Sequence, residues 1–289
     1  MIASLKAIIN PGDEVIIFEP FYENYGADTI LSGATPRYIT LRPPTWDFDI
    51  DELRKSFNRH TKAIIINSPN NPTGKVFTKS EFNEIADLCI KWDVIVITDE
   101  IYEHILYDDS EHISMASLPG MNERTVTINS VSKTYSVTGW RIGWAIASPE
   151  ITSRIRKVHD FLTVGAPTPF QHAAVNALNF QIDYYTSLRN RYTGLRSLLF
   201  DSLLKNGFRP YLPHGAYYII ADYSELLKKI PAETDFDFSL GLLRKSGVAT
   251  VPGSSFYSSG RSTRQVRFAF CKKIETLEYV DKLLSDKLI

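Results

Sequence analysis

Short, nearly continuous apolar runs alternate along most of this chain with longer segments whose apolar residues recur at helical spacing. The opening MIASLKAII has the helical pattern and stops at Asn10-Pro11-Gly12, after which EVIIFEP reads as a buried strand. PRYITL predicts a second strand, DIDELRKSF a short helix, and KAIIIN a strand that ends at the turn-rich SPNNPTG. The next helix, TKSEFNEIADLCIKW, carries Thr78 as N-cap with Glu81 three residues on, the spacing of a capping box. VIVITDE, TVTINS and WRIGWAIA return to strand, and Pro149-Glu150 opens a helix through ITSRIRKVHDFL.

Strands that are apolar throughout, alternating with amphipathic helices, are expected where a parallel sheet is covered on both faces. The fold class is therefore α/β, with a mainly parallel sheet in a large first domain. A long helical pattern from Asp183 to Asn206 stops at Gly207 and leads into a different rhythm: FRPYLP, GAYYIIADYS and QVRFAF as strands, FDFSLGLLRKSG and IETLEYVDKLLSDKL as helices. We place a large domain at residues 1–185 and a smaller α/β domain at 186–289.

Composition narrows the function. With 44% apolar residues, the 289-residue chain can bury a sizeable core, and 32 basic against 33 acidic side chains leave a formal charge of −1 with no long basic block. Nucleic acid is not an expected partner. Cys89 and Cys271 show no spacing that suggests a disulfide or zinc. No apolar run reaches the roughly 20 residues that cross a bilayer, and no signal-like core opens the chain. We expect no membrane partner and a cytoplasmic location.

Three segments carry chemistry. SPNNPTG offers the amides of Asn70 and Asn71 at a strand's carboxyl end, where open α/β sheets bind ligands; by itself it reads equally as an Asx-stabilised loop. ITDEIYE sets Asp99 at another strand end, with Tyr102 three residues on. Asp99, Glu100 and Glu103 could also bind metal, but the asparagines and lysine nearby favour an organic ligand, and no metal site is expected. In INSVSKTYSVTGWRIGW, Lys133 can form a Schiff base with an aldehyde if its amine is held neutral, Ser130 and Ser132 add hydroxyls, and Arg141 can grip a phosphate. A surface lysine on a serine-rich turn and an ion-paired arginine would explain the same letters.

Taken together, the segments suit pyridoxal 5'-phosphate. Asp99 would keep the pyridine nitrogen protonated, Asn71 and Tyr102 would polarise the phenolic oxygen, and Lys133 would carry the aldehyde. Tyr22, after EPF, offers a face to stack on the ring, or simple packing beside Phe21. Arg267 in QVRFAF is a candidate for the substrate carboxylate, or a solvent-facing edge residue. His159, His172 and His214 form no metal spacing, and His159 and His172 read as polar residues of helices. Tyr102, Tyr135 and Tyr257 are candidates to accommodate an aromatic or neutral substrate side chain.

The ordered set SPNNPTGKVF, ITDEIYE, SVSKTYSVTGWRIGW and VRFAF closely resembles the class I and II, fold-type I, pyridoxal-phosphate aminotransferases. The resemblance implies that Lys133 binds the cofactor covalently and carries the proton, that Asp99 pairs with the ring nitrogen, and that Asn71 and Tyr102 meet the phenolic oxygen. It further implies phosphate contacts from Ser130 and Arg141, ring stacking by Tyr22, and carboxylate binding by Arg267. A homodimer acting on an amino acid and a 2-oxo acid is implied; the tyrosines suggest aromatic or neutral donors, and aspartate stays open. The family normally has a segment ahead of MIASLKAIINPGDE that carries an arm, a substrate loop and a phosphate-binding turn, so the 289-residue chain alone is expected to be poorly active. The competing functions are another pyridoxal-phosphate reaction, such as β-elimination, and a non-catalytic interaction protein that retains the fold.

Overall fold

The computed structural model describes residues 1–288. Its larger sheet has six strands: β1 (Glu14–Glu19), β2 (Thr35–Thr40), β3 (Thr61–Asn67), β4 (Ile95–Asp99), β5 (Thr125–Ser130) and β6 (Gly143–Ile146). They lie in the order β2-β1-β3-β4-β5-β6, parallel except for β6, which runs antiparallel to β5. The connecting helices are α1 (Ile2–Ile8), α2 (Asn24–Leu31), α3 (Ile50–Ser56) and α4 (Lys79–Trp92), followed after β6 by α5 (Pro149–Thr163), α6 (Thr168–Leu178) and α7 (Ile182–Lys205).

Both faces of this sheet are buried, for the reason the apolar strands suggest. Val15, Ile17, Ala63, Ile65 and Ile97 pack with Leu5, Tyr25 and Ile151 on one face. Their chain neighbours Ile16, Phe18, Ile64, Ile66 and Val96 pack with Phe82, Ile85 and Cys89 of α4 on the other. The period-two alternation of side chains thus feeds two cores from one set of strands. Thr78 caps α4 with the reciprocal bonds of a capping box to Glu81.

The smaller sheet comprises β7 (Arg209–Pro210), β8 (Tyr218–Asp222), β9 (Val251–Pro252) and β10 (Gln265–Ala269), ordered β7-β8-β10-β9 and antiparallel. Helices α8 (Asp235–Ser246) and α9 (Ile274–Leu288) cover it together with α7. The α/β architecture and mainly parallel large sheet expected from the sequence are present. Two helices, α2 and α6, lie where the apolar pattern was not read as helix. WRIGWAIA is strand only from Gly143; before it a 3-10 turn at Thr138–Trp140 leads to Arg141 in left-handed backbone with φ 58°. The strand starts at a glycine because a Cβ there would stand 2.9 Å from the Asn129 carbonyl oxygen across the β5 pairing. Among the described residues, no helix is long and apolar enough to cross a membrane.

Candidate active site

The chain passes from β1 out to the edge strand β2 and then back to β3 on the other side of β1. Such a reversal opens a crevice outside the carboxyl ends of the strands. Here it is a cleft of about 680 Å³ whose walls include Tyr22, Asn71, Asp99, Tyr102, Ser130, Lys133 and Arg141. The segments that follow β1, β3, β4 and β5 therefore converge on one space.

The SPNNPTG loop divides the labour between its asparagines. Asn70 turns inward, its Oδ1 accepting from the Thr73 backbone N–H and hydroxyl, so it is the loop-stabilising residue. Asn71 faces the cleft, with its backbone N–H held by Asn67 Oδ1 at 2.7 Å. Asn67 also donates from Nδ2 to the Asp99 carbonyl at 2.9 Å, tying the ends of β3 and β4 together. The loop closes at Gly74, where φ is 73° and a Cβ would fall 2.3 Å from Pro213, so only glycine permits this approach to the segment entering β8.

Asp99 is buried at the end of β4. Its Oδ2 accepts from the Tyr25 hydroxyl at 2.7 Å and its Oδ1 from the Ile101 backbone N–H at 3.2 Å. Burial pushes its carboxyl above the usual range, while those two donors pull it back. Tyr102 is buried beside it in the cleft wall, its hydroxyl 3.3 Å from that of Tyr218. Tyr22 is 38% exposed and presents its ring to the cleft, edge-on to Tyr25 at 5.6 Å and 81°.

Lys133 is half-buried, its Nζ 5.9 Å from the centre of the Tyr217 ring. Burial lowers its proton affinity; Cys271 and Asp99 oppose that shift, whereas Arg141 and Arg267 add to it. A lysine amine so placed is nearer its nucleophilic form than an exposed one. Ser130 Oγ accepts the Ser132 backbone N–H at 3.1 Å, and Asn129 Oδ1 accepts that of Ser130 at 2.7 Å. Arg141 is exposed and donates from Nη1 to the Thr138 carbonyl at 2.9 Å, leaving most of its fork free.

Arg267 comes from β10 and reaches the same site through Asn71, to whose Oδ1 its Nη1 donates at 2.8 Å. Its guanidinium lies 4.2 Å from the centre of the Tyr218 ring and 4.7 Å from that of Phe256. It is therefore a clamped, half-buried group and not a solvent-facing edge residue.

Other expectations need correction. Of the three tyrosines considered for a substrate side chain, only Tyr102 lines the cleft. Tyr135 is drawn into an aromatic cluster, stacking on Tyr184 at 5.6 Å and bonding the Tyr185 hydroxyl, and Tyr257 packs at the edge of the core over α4. His159, read as an ordinary helix residue, lines the cleft with Arg156. Glu100 and Glu103 do not join Asp99. They gather with His112, ligand-type atoms within 4.8 Å of one another, and are bonded to His112 and Asn129 respectively. Sequence reading also missed Asn67, and Tyr25 and Tyr218, whose partners lie far along the chain.

The donor set fits a phosphorylated pyridine aldehyde. A dry carboxylate suits a cationic ring nitrogen, an amide and a phenol suit an anionic ring oxygen, a desolvated amine suits the aldehyde, and Ser130 with Arg141 suits the phosphate.

Comparison with known proteins agrees. The family described as aminotransferase class I and II matches residues 1–283. Kynurenine–oxoglutarate transaminase 1 of Homo sapiens is 34% identical over 312 residues, spanning 98% of this chain and 74% of that protein. The structure of N-succinyldiaminopimelate aminotransferase from Mycobacterium tuberculosis superposes with a TM-score of 0.93 at 35% identity, covering 99% of this chain and 74% of that one. Aromatic aminotransferase from Pyrococcus horikoshii OT3 gives 0.89 at 36% identity, covering 100% and 78%. These enzymes use pyridoxal 5'-phosphate to move an amino group between an amino acid and a 2-oxo acid, and the chain belongs to their family, the class I and II aminotransferases of fold type I.

Proposed function

We propose that this aminotransferase takes an aromatic or neutral L-amino acid as donor and divides the work among the residues of the cleft. Lys133 is the covalent anchor and the proton carrier, Asp99 faces the ring nitrogen, and Asn71 and Tyr102 face the ring oxygen. Ser130 and Arg141 hold the phosphate, Tyr22 covers one ring face, and Arg267 receives the substrate α-carboxylate. The observation that carries this reading is the bond from Arg267 to Asn71, which brings a carboxylate reader against a residue of the cofactor cleft.

Bound pyridoxal phosphate supplies a sink for the electron pair released at the substrate α-carbon. The residues do the rest. The Arg267 fork orients the carboxylate by paired N–H donors, which fixes the α-carbon relative to Lys133. Lys133 Nζ, its amine favoured neutral by burial, takes the α-proton, holds it as an ammonium and would return it from the same side to the bound group, leaving the amine neutral again. Asp99 keeps a negative charge in a dry wall where it acts strongly.

Support for an aromatic or neutral donor comes from Tyr22, Tyr102 and Tyr218 in the cleft lining. Two of the relatives, the kynurenine–oxoglutarate transaminase and the aromatic aminotransferase, are named for such substrates. A panel of amino donors with several 2-oxo acids tests the reading: kcat/KM should be higher for aromatic and neutral donors than for aspartate, with paired amino-acid and oxo-acid products. Release of ammonia without a paired product would instead mark β-elimination.

The chain divides, in this proposal, near residue 185 within α7. It acts as a homodimer in the cytoplasm, with no nucleic acid or membrane partner. Exposed apolar side chains on and beside α5 and α6 support a second copy as the covering surface, among them Phe161 at 91%, Val164 at 85% and Ile182 at 74% exposure. Sedimentation equilibrium should give twice the chain mass.

A further inference from the structure

We propose that Tyr25 is a positioning residue for the cofactor, fixing Asp99 through its hydroxyl and Tyr22 through its ring. This rests on the reading that Asp99 faces the ring nitrogen. Tyr25 is 3% exposed and sits in the first turn of α2, its ring packed in the core that includes Ile17, Ile65 and Ile97. Its backbone is held at both ends: its N–H donates to the Tyr22 carbonyl at 3.1 Å, and its carbonyl accepts the Thr29 hydroxyl at 2.8 Å. A side chain so confined has little freedom to leave its partner.

That partner is Asp99 Oδ2, at 2.7 Å. An ionised carboxylate has about four acceptor sites. The Tyr25 hydroxyl occupies one and the Ile101 backbone N–H another, on the other oxygen. The remainder can serve a cationic ring nitrogen in the cleft. Burial pushes the Tyr25 phenol well above its ordinary range, and the Asp99 charge adds to this, so it remains a donor across the working pH range. The other titratable groups acting on Asp99 are Glu100, Lys133, Tyr22 and the Met1 amino group, none of which is bonded to its carboxylate.

Removal of the hydroxyl would leave a carboxylate oxygen in a dry wall without its donor. The carboxylate would become more basic, and the proton shared with the ring nitrogen would move toward Asp99. The edge contact with Tyr22 at 5.6 Å ties the same residue to the stacking face.

The experiment compares holoproteins loaded with pyridoxal phosphate labelled with nitrogen-15 in its ring. In Asp99→Asn the nitrogen signal should move fully toward the unprotonated position. In Tyr25→Phe, which keeps the packing, it should move part of the way in the same direction, with cofactor affinity roughly three- to tenfold weaker, as for loss of one net hydrogen bond. Thr29→Val removes the bond to the Tyr25 carbonyl and keeps the Tyr25 hydroxyl, so it should leave the signal in place. An unmoved signal in Tyr25→Phe beside a shifted one in Asp99→Asn overturns the role of Tyr25. An equal shift in Thr29→Val overturns it as well, by assigning the effect to packing. An unmoved signal in Asp99→Asn overturns the pairing of Asp99 with the ring on which the inference stands.

Discussion

The six-stranded sheet offers its polar groups from strand ends, whereas the four-stranded sheet offers Arg267 from within a strand. Asn71 and Lys133 follow β3 and β5 and Asp99 ends β4; the Asn71 backbone is held by Asn67, and the Asp99 carboxylate by Tyr25 and the Ile101 N–H. Arg267 has one hydrogen bond, to Asn71, and is otherwise held by the faces of Tyr218 and Phe256. Hydrogen bonds fix direction, while aromatic faces hold a cation without fixing its rotation in plane. The first arrangement suits a resident cofactor and the second a carboxylate that arrives and leaves.

The sharpest way to break this contrast is Lys133→Ala. Transamination should fall by about 10²–10⁴-fold for loss of the proton carrier alone, and borohydride treatment should no longer fix the cofactor to the chain as judged by mass spectrometry. Arg267→Lys acts on the other sheet, and its KM for the amino donor should rise about ten- to hundredfold with a smaller change in kcat, as for loss of a hydrogen bond to a charged group. Phe256→Leu removes one of the two faces. It should cost about 1 kcal/mol in carboxylate binding, roughly a fivefold rise in KM, while the cofactor dissociation constant stays unchanged.

The smallest effect concerns pH. Burial lowers the proton affinity of Lys133, so in cofactor-free protein its amine should be acylated at lower pH than exposed Lys91, as read by peptide mass spectrometry. The folded-state value lies below the unfolded one. The stability cost of burying this amine is therefore full below the folded-state value and fades as pH rises to the unfolded value. Lys133→Met should remove that slope from thermal melts in the alkaline range.

Much of the cleft was legible because its groups sit within a few residues of recognisable strand ends. The apolar run KAIIIN points directly to the loop with Asn71, and VIVITDE points to Asp99. Asn71 was singled out from Asn70 by the family resemblance and not by its chemistry, since both carry the same amide and only the loop's turn decides which faces inward. Tyr25 was missed because its partner is 74 residues away, and it lies in a helix of only eight residues. Tyr135 and Tyr257 were misjudged because aromatic residues carry no mark of which cluster will bury them.

The sequence by itself determined the α/β alternation, the covered parallel sheet and the residue types at three strand ends, because these depend on local periodicity and on turns. The tertiary structure decided which of those ends share a cleft, that Arg267 reaches Asn71 across 196 residues, and that Tyr25 meets Asp99. Those contacts depend on strand order and on the docking of the smaller sheet, both set by the packing of the whole chain.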